Sequence, residues 1–153
     1  MNGQSGSEAK LIFPGLAGFY ASVGDIALTA MRVVVGIMFL MHVSVKFKIG
    51  ASAVAANIMA KNGLEPSMLF AYVTIALELV GGICLILGLF TRFFAAALAI
   101  EMGIAFLAVH LSKGYAAGAG GYEYVLLIGV ALLVIAMRGG GPYSVDRFIG
   151  KEL

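Results

Sequence analysis

The sequence predicts an all-α membrane protein: a four-transmembrane-helix bundle, up-and-down, with a short interfacial helix between spans 1 and 2. Three observations carry that expectation. The 153 residues are 61% hydrophobic and only 12% charged, against about 25% charged in a typical soluble domain. Mean hydropathy is +1.03. The apolar residues fall into four runs long enough for spans of roughly 20 residues each, and Pro14, Pro66 and Pro142 all lie outside those runs. The length suits a single domain.

The chain divides into an N-terminal cytoplasmic or interfacial segment (1–24), a transmembrane domain (25–138) and a C-terminal cytoplasmic tail (139–153). Glycines and Pro14 interrupt the first 24 residues, and no compact apolar core follows a basic start, so they do not read as a cleavable signal. Span 1 covers about 26–45, with Asp25 as a cap and with Arg32 and His42 inside it; Lys46 and Lys48 mark the far interface. Residues 50–65 contain a small-residue helix too weakly apolar to span, expected along the membrane surface and ending at Gly63. Span 2 covers about 67–90. It carries Glu78 in an apolar run, LELVGGICLILGLFTR, that closes on Arg92. Span 3 covers about 93–111 and holds Glu101 and His110. Its Ala95, Ala99 and Gly103 form a small-residue stripe along which a neighbouring backbone can come close. A glycine- and alanine-rich loop leads to span 4, about 122–137, with Glu123 near its start. Arg138 and Gly139–Gly141 end it. The excess of Lys and Arg on one side favours both termini in the cytoplasm.

Composition narrows the function classes. A net charge of +2 is too small for nucleic-acid binding. The single cysteine, Cys84, lies mid-span and reads as a packing residue. It excludes an internal dithiol cycle and a cysteine-ligated metal or cluster in one chain. No local metal or haem motif of the H-E-x-x-H kind is present, and AGAGGYE is no dinucleotide fingerprint because no strand precedes it.

The ionisable residues inside the spans carry the functional expectation. A carboxylate such as Glu78 costs roughly 2.5–3.5 kcal/mol in an apolar span on insertion scales, so a partner is required. Counting 1.5 Å per residue from Arg92 and Arg138 puts His42, Glu78, His110 and Glu123, from four helices, in one leaflet with Tyr122 beside them. These five are the expected ligand-binding set. Arg32 and Glu101 fall lower and are expected to form a structural ion pair. The competing reading makes His110 and Lys46 interface markers and Glu123 a solvated helix-start acid favoured by the macrodipole. Histidine, carboxylate and tyrosine together can bind and protonate a quinone headgroup, the redox chemistry being the cofactor's. Span 1 and span 3 also share a pattern, GIMFLMHVSVK against GIAFLAVHLSK, as a duplicated helix pair would.

Several motifs in order resemble the DoxX family of small bacterial membrane proteins. They are R-x3-G-x2-F-x2-H-x3-K (Arg32, Gly36, Phe39, His42, Lys46), L-E-L-x-G-G-x4-L-G-L-x-T-R (Leu77–Arg92), the histidine closing span 3 (His110), G-G-Y-E-Y (Gly120–Tyr124) and G-x-G-P-x-S-V-D (Gly139–Asp146). Span 1 departs at Val43, where a glycine commonly follows the histidine. The resemblance implies a four-helix bundle and a link to quinol oxidase or thiosulfate:quinone oxidoreductase subunits. It also implies membrane complexes that handle oxidative and thiol stress. The expected function is a quinone-linked redox or accessory subunit. The alternatives are a non-catalytic assembly subunit and a small-solute or proton permease. Expected partners are the lipid bilayer and either other subunits of a membrane complex or further copies of the chain.

Overall fold

A computed structural model describes residues 11–152, and all regular structure among them is helical. Four long helices pack together: α1 (Ala17–Ile49), α3 (Ser67–Leu87), α4 (Thr91–Ala105) and α5 (Glu123–Arg138). Between the first two, α2 (Ala51–Val54) continues through π and 3-10 turns to Asn62. Similar turns carry α4 on to Lys113. A short α6 (Val145–Ile149) closes the chain. The stretches Pro14–Ile49, Ser67–Leu87 and Thr91–Lys113 are long and apolar enough to cross a membrane. α5 has 16 residues, about 24 Å of helix.

One core joins all four long helices: Val35 and Phe39 from α1, Leu85 from α3, Ala95 and Leu98 from α4, and Ile128, Leu132 and Ile135 from α5. A second holds residues 54–59 against the bundle, with Val54 and Met59 packed on Val43, Ala71 and Ile75. The exterior is as apolar as the core. Met41 and Val45 on α1, Val73 and Val80 on α3, Phe93 and Ile100 on α4, and Leu127 and Val130 on α5 are all exposed. A water-soluble monomer rarely shows continuous apolar surface of this extent; a lipid-facing one requires it.

α1 differs from the expected span 1. It begins at Ala17, just past Pro14, because Gly18 and Gly24 weaken a helix without ending it, so Asp25 is not a cap but a mid-helix residue whose carbonyl accepts the Thr29 hydroxyl. Of the small-residue stripe, Ala95 and Ala99 pack into the core, whereas a Cβ on Gly103 would meet nothing within 4 Å. A close backbone approach also lies between α1 and α3, where a Cβ on Gly36 would stand 2.7 Å from the Gly82 carbonyl oxygen.

The α3–α4 turn is clamped at both helix ends by residues from elsewhere. α3 stops at Gly88, with φ +69°. The Leu89 N–H returns to the Cys84 carbonyl, a glycine-centred C-terminal motif. Arg32 of α1, only 1% exposed, donates to the carbonyls of Leu85 and Ile86 at that terminus and to Tyr143. Asp146 of α6 accepts the N–H groups of Phe90 and Thr91 at the start of α4, at 2.7 and 2.9 Å. A cation thus sits on the negative end of one helix and an anion on the positive end of the next. Arg92 repeats the device, donating to Ala136 and Met137 at the end of α5. Lys10 lies outside the described residues.

Candidate functional site

At the opposite end from the Arg32–Asp146 clamp, the four long helices diverge around a cavity of about 560 Å³. Its walls come from the C-terminal half of α1, the N-terminal half of α3, the C-terminal half of α4, the first turns of α5, and residues 57–64. α3 and α4 touch where Gly81 meets the Leu98 side chain. Beyond that point the cavity walls between them are Val73, Ile100 and Ile104, all exposed on the outer surface. On this side the cavity wall therefore reaches the outer surface through apolar residues of α3 and α4.

Its polar end is a directional hydrogen-bond network. The Lys46 Nζ lies 2.8 Å from Glu78 Oε1 and 3.5 Å from the Thr74 hydroxyl, which in turn donates to Glu101 Oε1. The ammonium thus holds one carboxylate directly and reaches the second through a threonine. Local sequence places these groups. Thr74 and Glu78 are one helical turn apart on α3, as are His42 and Lys46 on α1, so each pair shares a face. Glu78 is 3% exposed, and neither its Oε2 nor that of Glu101 has a hydrogen-bond partner.

Aromatic and imidazole groups line the next level. His42 stacks on Tyr124, ring centroids 6.1 Å apart and 24° from parallel. His110 Nδ1 lies 2.7 Å from the Gly120 carbonyl oxygen, so the neutral ring donates from Nδ1 and keeps a free lone pair on Nε2. The loop bearing Gly120 is itself pinned. Glu123 Oε1 accepts the Ala117 N–H at 2.8 Å, and the Tyr122 and Glu123 N–H groups donate to Gly114 and Tyr115. Gly121 is buried here, and only glycine fits, because any Cβ would strike the Gly114 and Ala116 carbonyls.

The structure thus brings together His42, Glu78 and His110 of the expected ligand set, but not Tyr122 or Glu123. Tyr122 packs edge-on against Phe106 and Tyr115, and Glu123 bonds the loop that carries Gly120, the partner of His110. The Arg32–Glu101 pair does not form. Glu101 lies ten residues along α4 from Thr91, about 15 Å, and belongs to the cavity, while Arg32 serves the α3–α4 turn. Lys46, Thr74, Glu101, Tyr124 and Asn57 were missing from the expected set. Helical spacing could have found two of them, since Lys46 follows His42 by four and Thr74 precedes Glu78 by four. Glu101 and Tyr124 needed the packing.

Comparison with known proteins places this architecture. The sequence profile of the DoxX family matches residues 27–111. This chain belongs to the DoxX family. One relative, an uncharacterized protein of Haemophilus influenzae, is 36% identical over 130 residues, covering 82% of this chain and 92% of the relative. A second from the same organism is 34% identical over 88 residues, 58% of either chain. A Bacillus subtilis protein named "Putative oxidoreductase CatD" is 28% identical over 127 residues, 83% of this chain and 90% of that one. No solved structure matches. The profile spans α1 to α4, and so includes Lys46, Thr74, Glu78, Glu101 and His110 but not Tyr124. The chain is therefore a DoxX-family membrane protein, related to one relative that is named as an oxidoreductase.

Proposed function

We propose that this DoxX-family protein is a quinone-linked redox subunit whose headgroup site is the cavity at Lys46, Glu78 and Glu101. The observation that supports this reading is the pairing of two surfaces in one cavity. An apolar wall reaches the outer surface at α3 and α4, and a network with two unpartnered carboxylate oxygens lies at its inner end. That combination suits an amphiphile that arrives from the bilayer with its polar head inward. A bound quinone supplies the electron transfer. The chain supplies position and protons: Glu78 Oε2 accepts a hydroxyl proton, the third Lys46 N–H donates to a carbonyl, and His42 and the His110 Nε2 carry protons at the rim. The name of the Bacillus subtilis relative is consistent with redox work.

The reading includes a topology. α5 serves as a fourth span, its outer face apolar at Leu126, Leu127, Val130 and Leu133, and residues 51–62 lie along the outer surface. Both termini are then cytoplasmic, in a bacterial inner membrane. Arg92, Arg138, Arg147 and Lys151 mark that side. Lys46 no longer counts against them, because its ammonium is committed to Glu78.

The test is to purify the full chain in mild detergent, analyse extracted lipid for quinone, and titrate with a short-chain ubiquinone. We expect saturable binding, weakened by about ten- to a hundredfold in Glu78→Gln, the equivalent of one hydrogen bond to a charged group. A monodisperse protein that carries no quinone and binds none overturns the reading and leaves an accessory role.

A further inference from the structure

The polar end of the cavity does not balance in charge. Glu78 and Glu101 bring two carboxylates, Lys46 brings one ammonium, and Thr74 brings none. The other titratable groups facing the cavity are His42 on α1, His110 and Lys113 on α4, and Tyr124 on α5. Lys113 lies against Gly120 at the rim, beside the loop, and His110 is tied to the Gly120 carbonyl. Neither forms an ion pair with Glu78 or Glu101 among the described residues. Two carboxylates joined through one ammonium and one hydroxyl, in an apolar surrounding, leave one negative charge uncompensated. A proton on the pair is the simplest charge that offsets it.

A cation can take the proton's place, and the cavity indicates which kind. A small inorganic ion needs a near-complete shell of oxygen ligands, and here the walls are mostly aliphatic and aromatic. The volume of about 560 Å³ falls in the range of sites for drug-sized molecules. Phe39, Phe70 and Tyr124 are among the lining residues, and aromatic rings attract a cation as well as an apolar body. The cavity wall at Val73 and Ile100 is part of the exterior apolar belt, so a ligand that partitions into lipid reaches it without crossing water. Glu78 lines the cavity, is nine-tenths buried and more, and its Oε2 has no hydrogen-bond partner.

We propose that the cavity binds lipophilic monocations, organic ammonium or phosphonium ions with an apolar body, in exchange for the proton held between Glu78 and Glu101. The exchange is electroneutral: the cation enters, the proton leaves to water, and no covalent bond of the ligand changes. The proposal goes beyond the quinone reading and does not depend on it.

The deciding experiment titrates the purified full chain with tetraphenylphosphonium by calorimetry across pH, with a pH-indicator dye in weak buffer recording proton release. We expect saturable binding, affinity rising by up to about tenfold per pH unit, and about one proton released per cation, as linkage between two competing ligands requires. Glu78→Gln and Glu101→Gln, each checked for monodispersity, should lower the affinity by about tenfold or more and abolish the proton release. Absence of binding to the wild-type protein, or binding with the same affinity at every pH, overturns the inference. The wild-type titration decides the matter even where a variant fails to fold. Quinone binding without phosphonium binding overturns this inference alone, and the converse overturns only the quinone reading.

Discussion

Glu78 and Asp146 are both buried carboxylates, and their surroundings give them opposite roles. Each Asp146 oxygen is used, one on the Phe90 N–H and one on the Thr91 N–H, so nothing is left for a ligand. Glu78 uses one oxygen on Lys46 and leaves the other buried without a hydrogen-bond partner. Asp146→Asn should therefore lower stability by about 1–3 kcal/mol, since an amide oxygen satisfies one buried N–H and its NH2 faces the other; thermal unfolding in detergent reads this out. Ligand binding should change far less than stability. Gly88 is the other sensitive residue at that clamp. Its φ of +69° disfavours any side chain, and a Cβ would meet the Arg32 guanidinium at 2.7 Å and Ser144 at 2.5 Å. Gly88→Ala should cost at least the 1–2 kcal/mol of the left-handed conformation and more from the displaced arginine. Unchanged unfolding of that variant would show that Arg32 does not hold the turn.

Between elements, the α1–α3 crossing and the loop over His110 matter most. Gly36 and Gly82 bring two backbones together, so Gly36→Ala forces a methyl against a carbonyl oxygen and should destabilise by about 1–3 kcal/mol. Gly103, in the same motif class by sequence, has open space beside it. Gly103→Ala should be neutral or stabilise by about 0.5–1 kcal/mol through helix propensity. Parallel melts should show a clear loss for Gly36→Ala and none for Gly103→Ala; equal losses would mean that Gly36 is not a backbone contact. Glu123 is tied to the loop and is not among the residues lining the cavity. Removing its carboxylate in Glu123→Ala frees the Ala117 N–H, costing about 1 kcal/mol locally. Hydrogen exchange should rise across residues 114–121, while the Lys46–Glu78 pair is unaffected. Exchange no faster than in the wild type would return Glu123 to the candidate ligand set.

For the whole molecule, clamp and cavity lie at opposite ends of one bundle. The clamp end gathers the arginines and the C-terminal segment; the cavity end gathers the carboxylate pair and both histidines. If α5 spans, single cysteines at Lys61 and Arg147 in a Cys84→Ser background lie on opposite faces of the membrane. A membrane-impermeant maleimide applied to intact cells should then label the first and spare the second until the membrane is broken. Labelling of both from outside would remove the fourth span and with it the cytoplasmic placement of the C-terminus.

Much of this architecture is written in composition. Apolar runs of the right length, prolines and glycines at their ends, and a carboxylate no lipid would tolerate alone are properties of consecutive residues. From them the helices, most of their boundaries and the presence of a polar site at Glu78, His42 and His110 can be read. The motif order also pointed to the DoxX family, which the profile match bears out. Which ionisable groups meet could not be read, because depth along a helix fixes a residue's level but not its azimuth. Arg32 and Glu101 looked like partners on depth alone. Helix rotation instead turned Arg32 into the carbonyls at the end of α3 and Glu101 toward Thr74 and Lys46. Asp146, far along the chain, became a helix cap only because the tail folds back under the bundle. Contacts between residues distant in sequence depend on how four helices rotate to fill one core, and that is settled by packing.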